Sequence, residues 1–233
     1  MEYLDILIAQ LDKRYVRSLQ KYQRVLYQRN HLLKMVRSGH SKPSELEYWD
    51  SELTEDGSYI VARRMEAVTS LSGLARSLHC DLAGNEEELK LIYEPTVEVQ
   101  PGYPNKELGR AFRIALERNR DRELASGFTV VGPHRDDLRV LLNGKDTGTY
   151  SSRGQCRTVV LAMRLAEARH LAEKRGQEPV LLLDDVLSEL DAVRRETVLQ
   201  TADQYEQCFV TTSDIHAIEQ RFLERMAPFH VSG

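Results

Sequence analysis

The chain has 233 residues, 41% of them hydrophobic, and a formal net charge of −4, which fits one large soluble domain or two small ones. No apolar run reaches the length of about 18 residues that a membrane span needs, and no signal-peptide core follows Met1, so we expect a cytoplasmic protein. Its three cysteines are widely spaced and form no C-x-x-C pair, which argues against a zinc site or a disulfide framework.

The amino-terminal half of the chain is predicted to be mostly helical. Apolar residues recur at helical spacing from Leu4 to Leu33, so residues 2–37 are predicted to form one long amphipathic helix. A turn at Gly39 to Ser44 precedes a second predicted helix around Gly57–His79. The elements predicted next are a break at Gly84-Asn85, a strand at Leu89–Tyr93, a loop at 101–105 and a helix near Lys106–Asn119.

From Gly127 the pattern changes to strands that alternate with helices. The predicted elements are strands at Phe128–Val131 and Leu138–Leu142, a turn at Asn143-Gly144, a helix after Gln155, a strand at 180–183, a helix near Val193–Gln204, a strand at Cys208–Thr211 and a helix near Ile215–Met226. We therefore predict an α/β fold in which residues 1–120 form a mostly helical arm and residues 121–233 a lobe with a parallel sheet.

Charge is segregated along the predicted arm. Nine basic residues and no acidic residue lie between Lys13 and Lys42, and six acidic residues then follow from Glu45 to Asp56 before the next base. The bases that share one helical face are Arg14, Arg17, Lys21 and Arg24. Such a cationic ridge suits contacts with a phosphate backbone. The alternative is a solvated face, or one neutralised by the acidic segment packed against it.

Two adjacent carboxylates end the strand at 180–183. Its four consecutive apolar residues predict a strand that is buried on both faces, as in a parallel sheet. Asp184 and Asp185 follow at the carboxyl end, which is where open α/β sheets bind their ligands. In a Walker B arrangement the first Asp holds Mg²⁺ and the second orients the attacking water. The alternative is an Asp pair that caps the next helix.

A second candidate site opens the helix after Gln155. The Ser152–Gln155 turn reads Ser-Arg-Gly-Gln, and a small polar turn with a glycine at a helix start offers backbone N–H groups to a phosphate. Ordinary N-capping by the serine explains the same residues. The order of this turn, a helix, an apolar strand with two acids and Ser188-Glu-Leu-Asp191 resembles the carboxyl-terminal half of an ABC-type ATPase head.

The combination of motifs resembles the RecF family of DNA replication and repair proteins. The residues on which the resemblance rests are Gly132-Pro-His-Arg-Asp-Asp137, the Ser152–Gln155 turn, Leu181 to Asp191, and the arm segments around Tyr22–Lys34 and Leu46–Asp50. No G-x-x-x-x-G-K-[ST] phosphate loop occurs in the chain. We therefore expect a carboxyl-terminal portion of a RecF-like protein, with a partial ABC-type head that carries half of an ATP site.

The resemblance implies a role for each motif. Asp184 would bind Mg²⁺ and Asp185 would act on water, while Asp191 would lie in the loop that connects two sites. The other nucleotide contacts would be Ser152, Arg153, Gly154, Gln155 and Thr212, the last in place of a switch histidine. ATP and Mg²⁺ are expected only together with the missing phosphate-loop lobe, so hydrolysis by the chain alone is not expected.

The resemblance also implies partners. ATP would bridge the heads of a homodimer, and the arm bases Arg14, Arg17, Lys21 and Arg24 would contact DNA at junctions of single and double strands. RecO and RecR would be partners in recombination and the SOS response, in a nucleoid-associated setting. One alternative is a metal-dependent nuclease that uses His134, Asp136 and Asp137 with Asp184 and Asp185. Another is a DNA-binding scaffold without catalysis, and for His134–Asp137 a structural turn also remains open.

Overall fold

The computed structural model describes residues 1–84, 87–99 and 102–230. The chain divides into two compact units, of which the first comprises Met1–Ser72 with Leu91–Leu141 and the second Gly73–Lys90 with Leu142–Gly233. Both helices and strands are present, which confirms the predicted mixed fold class. The assignment of residues 1–120 to an arm and 121–233 to an ATPase lobe stays a prediction.

Helices dominate the described elements up to residue 126. In chain order they are α1 (Glu2–Leu11), α2 (Lys13–Arg37), a 3-10 turn (Pro43–Glu45), α3 (Leu46–Ala83), β1 (Leu89–Glu94), α4 (Asn105–Arg118) and α5 (Arg120–Ser126). The prediction of a single helix over residues 2–37 is wrong, because the chain is extended at Asp12. The Asp12 carboxylate accepts hydrogen bonds from the backbone N–H groups of Arg14 and Tyr15, at 2.8 and 3.0 Å, and so starts α2 anew.

A second prediction fails directly after α5. Residues 128–131 are not a strand, because side chains rather than a neighbouring strand satisfy their backbone. The Thr129 N–H donates to Asn30 Oδ1 at 2.8 Å, and the Val130 N–H donates to Glu123 Oε1 at 2.9 Å. Alternation of apolar residues cannot distinguish a ladder from a segment that is held by buried polar side chains.

A buried arginine organises the core of the first unit. Arg29 is fully buried on α2, and its guanidinium donates to Asp50 at 2.7 Å, to Glu123 at 2.6 Å and to Thr129 at 2.7 Å. Asp50 also pairs with Arg120. These contacts join α2, α3 and α5, so the arm motif around Arg29 has a structural role in the packing of the helices.

The later elements include the parallel pair that was predicted. They are β2 (Asp137–Leu142), β3 (Lys145–Asp146), α6 (Thr147–Tyr150), α7 (Arg153–Arg175), β4 (Leu181–Asp184), a 3-10 turn (Leu187–Glu189), α8 (Ala192–Ala202), β5 (Cys208–Thr211), a 3-10 turn (Ile215–Ala217) and α9 (Gln220–Leu223). One sheet has the order β1-β2-β3, and β4 pairs with β5 in parallel. The last predicted helix, near Ile215–Met226, is shorter than expected, since α9 runs from Gln220 to Leu223.

Burial of β4 differs from the prediction. Leu181 and Leu183 are buried, but Leu182 is 69% exposed and its partner in the register, Phe209, is 59% exposed. The expectation of a strand buried on both faces is thus wrong for this chain, since only one face of the β4-β5 pair is covered.

No helix in the described ranges combines the length and apolar character that crossing a bilayer requires.

Candidate functional site

The two acids after β4 lie beside a threonine of β5. Asp184 is exposed at the end of β4, and its register partner is Thr211. The Thr211 hydroxyl donates to Asp184 Oδ1 at 2.5 Å and accepts from the Asp185 N–H at 3.0 Å. Thr211 therefore fixes one carboxylate oxygen of Asp184 and leaves the other available. Thr211 was not predicted from the sequence as a site residue. Asp184 and Thr211 both lie at the carboxyl ends of strands predicted to be parallel, and this shared position could have identified Thr211.

Asp185 adopts an unusual backbone conformation. Its φ is 49°, in the left-handed region that few non-glycine residues adopt, and Asp tolerates this region better than most. The Ser188 hydroxyl donates to the Asp185 carbonyl at 2.9 Å and holds the bend that follows β4. The carboxylate of Asp185 is exposed, so it can contact a ligand or water.

The Ser152–Gln155 turn is a closed capping box. Ser152 Oγ accepts from the Gln155 N–H at 3.2 Å, and Gln155 Oε1 accepts from the Ser152 N–H at 2.9 Å. The reading of Ser152 as an N-cap is therefore confirmed for the chain as it stands. Arg153 and Gly154 in the same turn are exposed, so the first turn of α7 is open to solvent.

The packing of the chain does not explain why residue 154 is glycine. A Cβ atom at Gly154 would meet no other atom within 4 Å, and the residue does not have a positive φ. Gly57 and Gly132 are different, because a Cβ atom there would lie 3.0 Å or less from Phe112 or Tyr22. A glycine in open space at a helix start leaves room for a close approach from outside the chain.

Asp191 and Thr212 make local contacts. The Asp191 carboxylate caps α8 by accepting from the Arg194 N–H at 2.9 Å, and it pairs with the Arg194 guanidinium at 3.1 Å. The Thr212 hydroxyl bonds to the backbone N–H and C=O of Asp214, at 3.1 Å each. Thr211, rather than Thr212, contacts Asp184. The nucleotide roles of Asp191 and Thr212 stay predictions.

Lys21 departs from the expected DNA-binding ridge. Its ammonium lies 3.0 Å from Glu52, 3.3 Å from Asp56 and 3.7 Å from Glu55 on α3. Hydrogen bonding to Glu52 raises the pKa of Lys21. The structure thus pairs Lys21 with the acidic segment, which is the alternative that the sequence left open.

The other three bases of the ridge are exposed on α2. The Arg14 guanidinium lies 4.2 Å from the centre of the Tyr59 ring, in cation–π geometry, and Arg24 Nε lies 3.4 Å from the carbonyl of Gln20. Arg17 projects from the same exposed part of the helix. The acidic segment therefore neutralises part of the ridge and leaves Arg14, Arg17 and Arg24 accessible.

His134 and Asp136 belong to a partly buried hydrogen-bond network. His134 Nδ1 lies 2.7 Å from the Tyr22 hydroxyl and His134 Nε2 lies 3.1 Å from the Thr129 carbonyl. Asp136 accepts from the Thr96 backbone N–H at 2.7 Å, and the Tyr93 hydroxyl donates to it as well. These contacts support the reading of a structural turn. Within the described ranges, no three metal-ligating side chains gather into a possible metal site.

The chain resembles known proteins over nearly its whole length. No family model matches it. The DNA replication and repair protein RecF of Roseiflexus castenholzii is 40% identical over 99% of this chain and 60% of its own length. That of Herpetosiphon aurantiacus is 41% identical over 98% of this chain and 58% of its own length. The chain thus spans about 60% of the length of these relatives.

Solved structures agree with the sequence relatives. A structure of the recombination mediator protein RecF-ATP in the RecFOR pathway superposes with a TM-score of 0.81 at 33% identity, over 92% of this chain and 57% of that one. A second, of RecF-ATPrS, gives a TM-score of 0.81 over 94% and 58%. Over nearly its whole length the chain therefore matches the carboxyl-terminal portion of RecF-family proteins.

Proposed function

We propose that the chain supplies the Walker B and Ser152–Gln155 half of a composite ATP site in a RecF-type DNA repair ATPase. The observation that carries the proposal is the exposed Asp184 at the end of a parallel strand, held through one oxygen by Thr211. The likeness to RecF-ATP structures supports the choice of nucleotide. The phosphate loop would come from a lobe of the protein that this chain does not contain.

The residues present fit a magnesium-nucleotide site. In such sites Mg²⁺ takes one or two carboxylates together with phosphate and water oxygens, and it would supply charge neutralisation at the phosphates. Asp184 offers one free carboxylate oxygen for the cation, and the exposed carboxylate of Asp185 can accept a hydrogen bond from water. The left-handed backbone at Asp185 turns the chain sharply directly after Asp184.

The Ser152–Gln155 turn would act on a nucleotide bound to a second subunit. Its exposed helix start provides N–H groups and the positive end of the dipole, and the open space at Gly154 allows a phosphate to come close. Two heads would then close over ATP as a homodimer. Asp191 and Thr212 retain their proposed places near the interface and the γ-phosphate.

The uncovered face of the β4-β5 pair supports a missing lobe. Leu182 and Phe209 lie side by side on that face and are mostly exposed, whereas parallel sheets are normally covered on both faces. We propose that further elements of the same protein pack on this face, and that the lobe to which they belong carries the phosphate loop. This arrangement also accounts for the apolar character of the whole strand at 180–183.

For the DNA-binding role we propose the exposed face of α2. Arg14, Arg17 and Arg24 would contact phosphates there, while Lys21 is engaged by the acidic segment. RecO and RecR, gapped DNA and recombination are proposed on the family likeness and on the pathway named for the solved relative. The nuclease alternative has less support, because His134 and Asp136 are engaged in the hydrogen-bond network of the first unit.

The test compares the chain with a protein in which it is joined to the preceding part of the Roseiflexus relative, called the rebuilt protein. The chain alone should show no Mg²⁺-dependent ATP hydrolysis, and the rebuilt protein should show it. Asp184→Asn should weaken the Mg²⁺ dependence, and Asp185→Asn should remove turnover while ATP still binds. Turnover by the chain alone that Asp185→Asn abolishes would refute the half-site. Mg²⁺-dependent DNA cleavage that Asp136→Ala abolishes would favour the nuclease.

A further inference from the structure

Beyond these motifs, the second unit contains a carboxylate that contacts the Ser152–Gln155 turn. We propose that Glu87 is a positioning residue for this turn, a role that rests on the proposed ATP site. Glu87 Oε1 accepts a hydrogen bond from the Gln155 side-chain amide at 2.6 Å. Glu87 lies in the short segment between α3 and β1, outside all motifs that the sequence pointed to.

This bond uses the remaining polar group of Gln155. The glutamine Oε1 accepts from the Ser152 N–H, and Nε2 is the group of the side chain that can donate to Glu87. With both ends held, the amide cannot rotate, and the hydroxyl of Ser152 stays directed at the Gln155 N–H. Glu87 thereby fixes the geometry in which the open helix start meets a phosphate.

The other carboxylate oxygen of Glu87 faces a buried histidine. His79 on α3 is fully buried, and its Nε2 lies 3.6 Å from Glu87 Oε2. Within the described residues, three buried atoms here make no hydrogen bond: the two ring nitrogens of His79 and Glu87 Oε2. Burial lowers the pKa of His79, so the ring is uncharged near neutral pH. The imidazole therefore limits the rotation of the Glu87 carboxylate by steric contact rather than by a hydrogen bond.

A set of variants separates this role from general stability. Glu87→Leu removes the acceptor, whereas Glu87→Gln keeps an oxygen that can accept from Gln155 and an amide that can donate to His79. Glu88→Leu is the matched control, because Glu88 is exposed and pairs with Arg76 on the surface. The first measurement is hydrogen exchange of the Ser152 and Gln155 amides, with the chemical shift of the Gln155 side-chain amide, in the isolated chain.

We expect Glu87→Leu to speed exchange at both amides about five-fold or more and to shift the Gln155 side-chain amide, as loss of a helix cap would. Glu87→Gln and Glu88→Leu should stay close to the wild-type values. Unchanged exchange in Glu87→Leu would overturn the proposal. The same would follow if Glu88→Leu had an equal effect, since the change would then be general.

The second measurement is ATP-driven dimerisation of the rebuilt protein by sedimentation. Glu87→Leu should weaken the dimer about ten-fold or more, and Glu87→Gln should restore it. Normal dimers of Glu87→Leu would overturn the role of Glu87 even if the turn were disordered. If the wild-type rebuilt protein itself formed no dimer with ATP, the proposed function would fail, and the exchange measurement would still decide whether Glu87 positions the turn.

Discussion

The cationic ridge on α2 can be divided experimentally by two single charge reversals. Arg17→Glu changes an exposed side chain, whereas Lys21→Glu places a fourth carboxylate among Glu52, Glu55 and Asp56. The two variants have the same net charge and lie one helical turn apart. If Lys21 is structural and Arg17 contacts DNA, Lys21→Glu should lower stability, whereas Arg17→Glu should weaken DNA binding.

The expected loss of stability follows from the distances at Lys21. Its ammonium has carboxylate oxygens at 3.0, 3.3 and 3.7 Å. Partly exposed pairs contribute about 0.2–1 kcal/mol each, and the side chain of Lys21 is 39% exposed, so solvent screens them. Removal of these pairs, with new repulsion from the introduced Glu, should lower the free energy of unfolding by about 2 kcal/mol. Arg17→Glu should change it by less than about 0.5 kcal/mol.

The assays are urea unfolding and DNA binding at several salt concentrations. Arg17→Glu should weaken binding regardless of base sequence and lower the slope of log affinity against log salt by roughly one. Lys21→Glu should leave that slope unchanged. A normal DNA affinity in Arg17→Glu would refute the proposed phosphate contact. A stable Lys21→Glu variant that loses DNA affinity would refute the assignment of Lys21 to the acidic segment.

Further predictions concern the core and the end of strand β4. Arg29→Met should destabilise the chain by about 3–5 kcal/mol in urea unfolding, because it leaves the fully buried carboxylate of Glu123 without its cation, and the exposed control Arg24→Met should have little effect; a loss for Arg29→Met below about 1 kcal/mol would contradict this. In the rebuilt protein, Thr211→Val should lower Mg²⁺-dependent ATP hydrolysis about ten-fold by releasing Asp184, and Thr211→Ser should retain it. Equal rates for the two variants would show that the Thr211 hydroxyl has no such role.

Local patterns were sufficient to predict much of the second unit. Strand Cys208–Thr211 has the predicted bounds, and Ser152 caps α7 as its polar neighbours indicate. These features depend on neighbours in sequence: apolar runs, turn residues and a capping box. The turn at Asn143-Gly144 is also present, with positive φ at both residues, as the sequence pair favours.

The features that were missed are one local cap within an apolar pattern and several side-chain contacts between separate segments. Asp12 interrupts an apolar pattern that continues across it, because a capping carboxylate outweighs the periodicity. In the segment 128–131, the Thr129 N–H donates to Asn30, which is 99 residues away in the sequence. The Val130 N–H donates to Glu123, which is seven residues away. The Lys21 pairs and the Glu87–Gln155 bond likewise join separate segments. No single-sequence pattern encodes such pairings.

The Ser152–Gln155 turn is proposed to act on a nucleotide that another subunit holds. Sedimentation of the rebuilt protein with ATP tests it, with Ser152→Arg compared against Asp185→Asn. Ser152→Arg places a cation at the start of α7, which opposes the helix dipole and fills the space for a phosphate. We predict that Ser152→Arg binds ATP yet stays monomeric, while Asp185→Asn dimerises with ATP and does not hydrolyse it. Normal ATP-dependent dimers of Ser152→Arg would contradict the account.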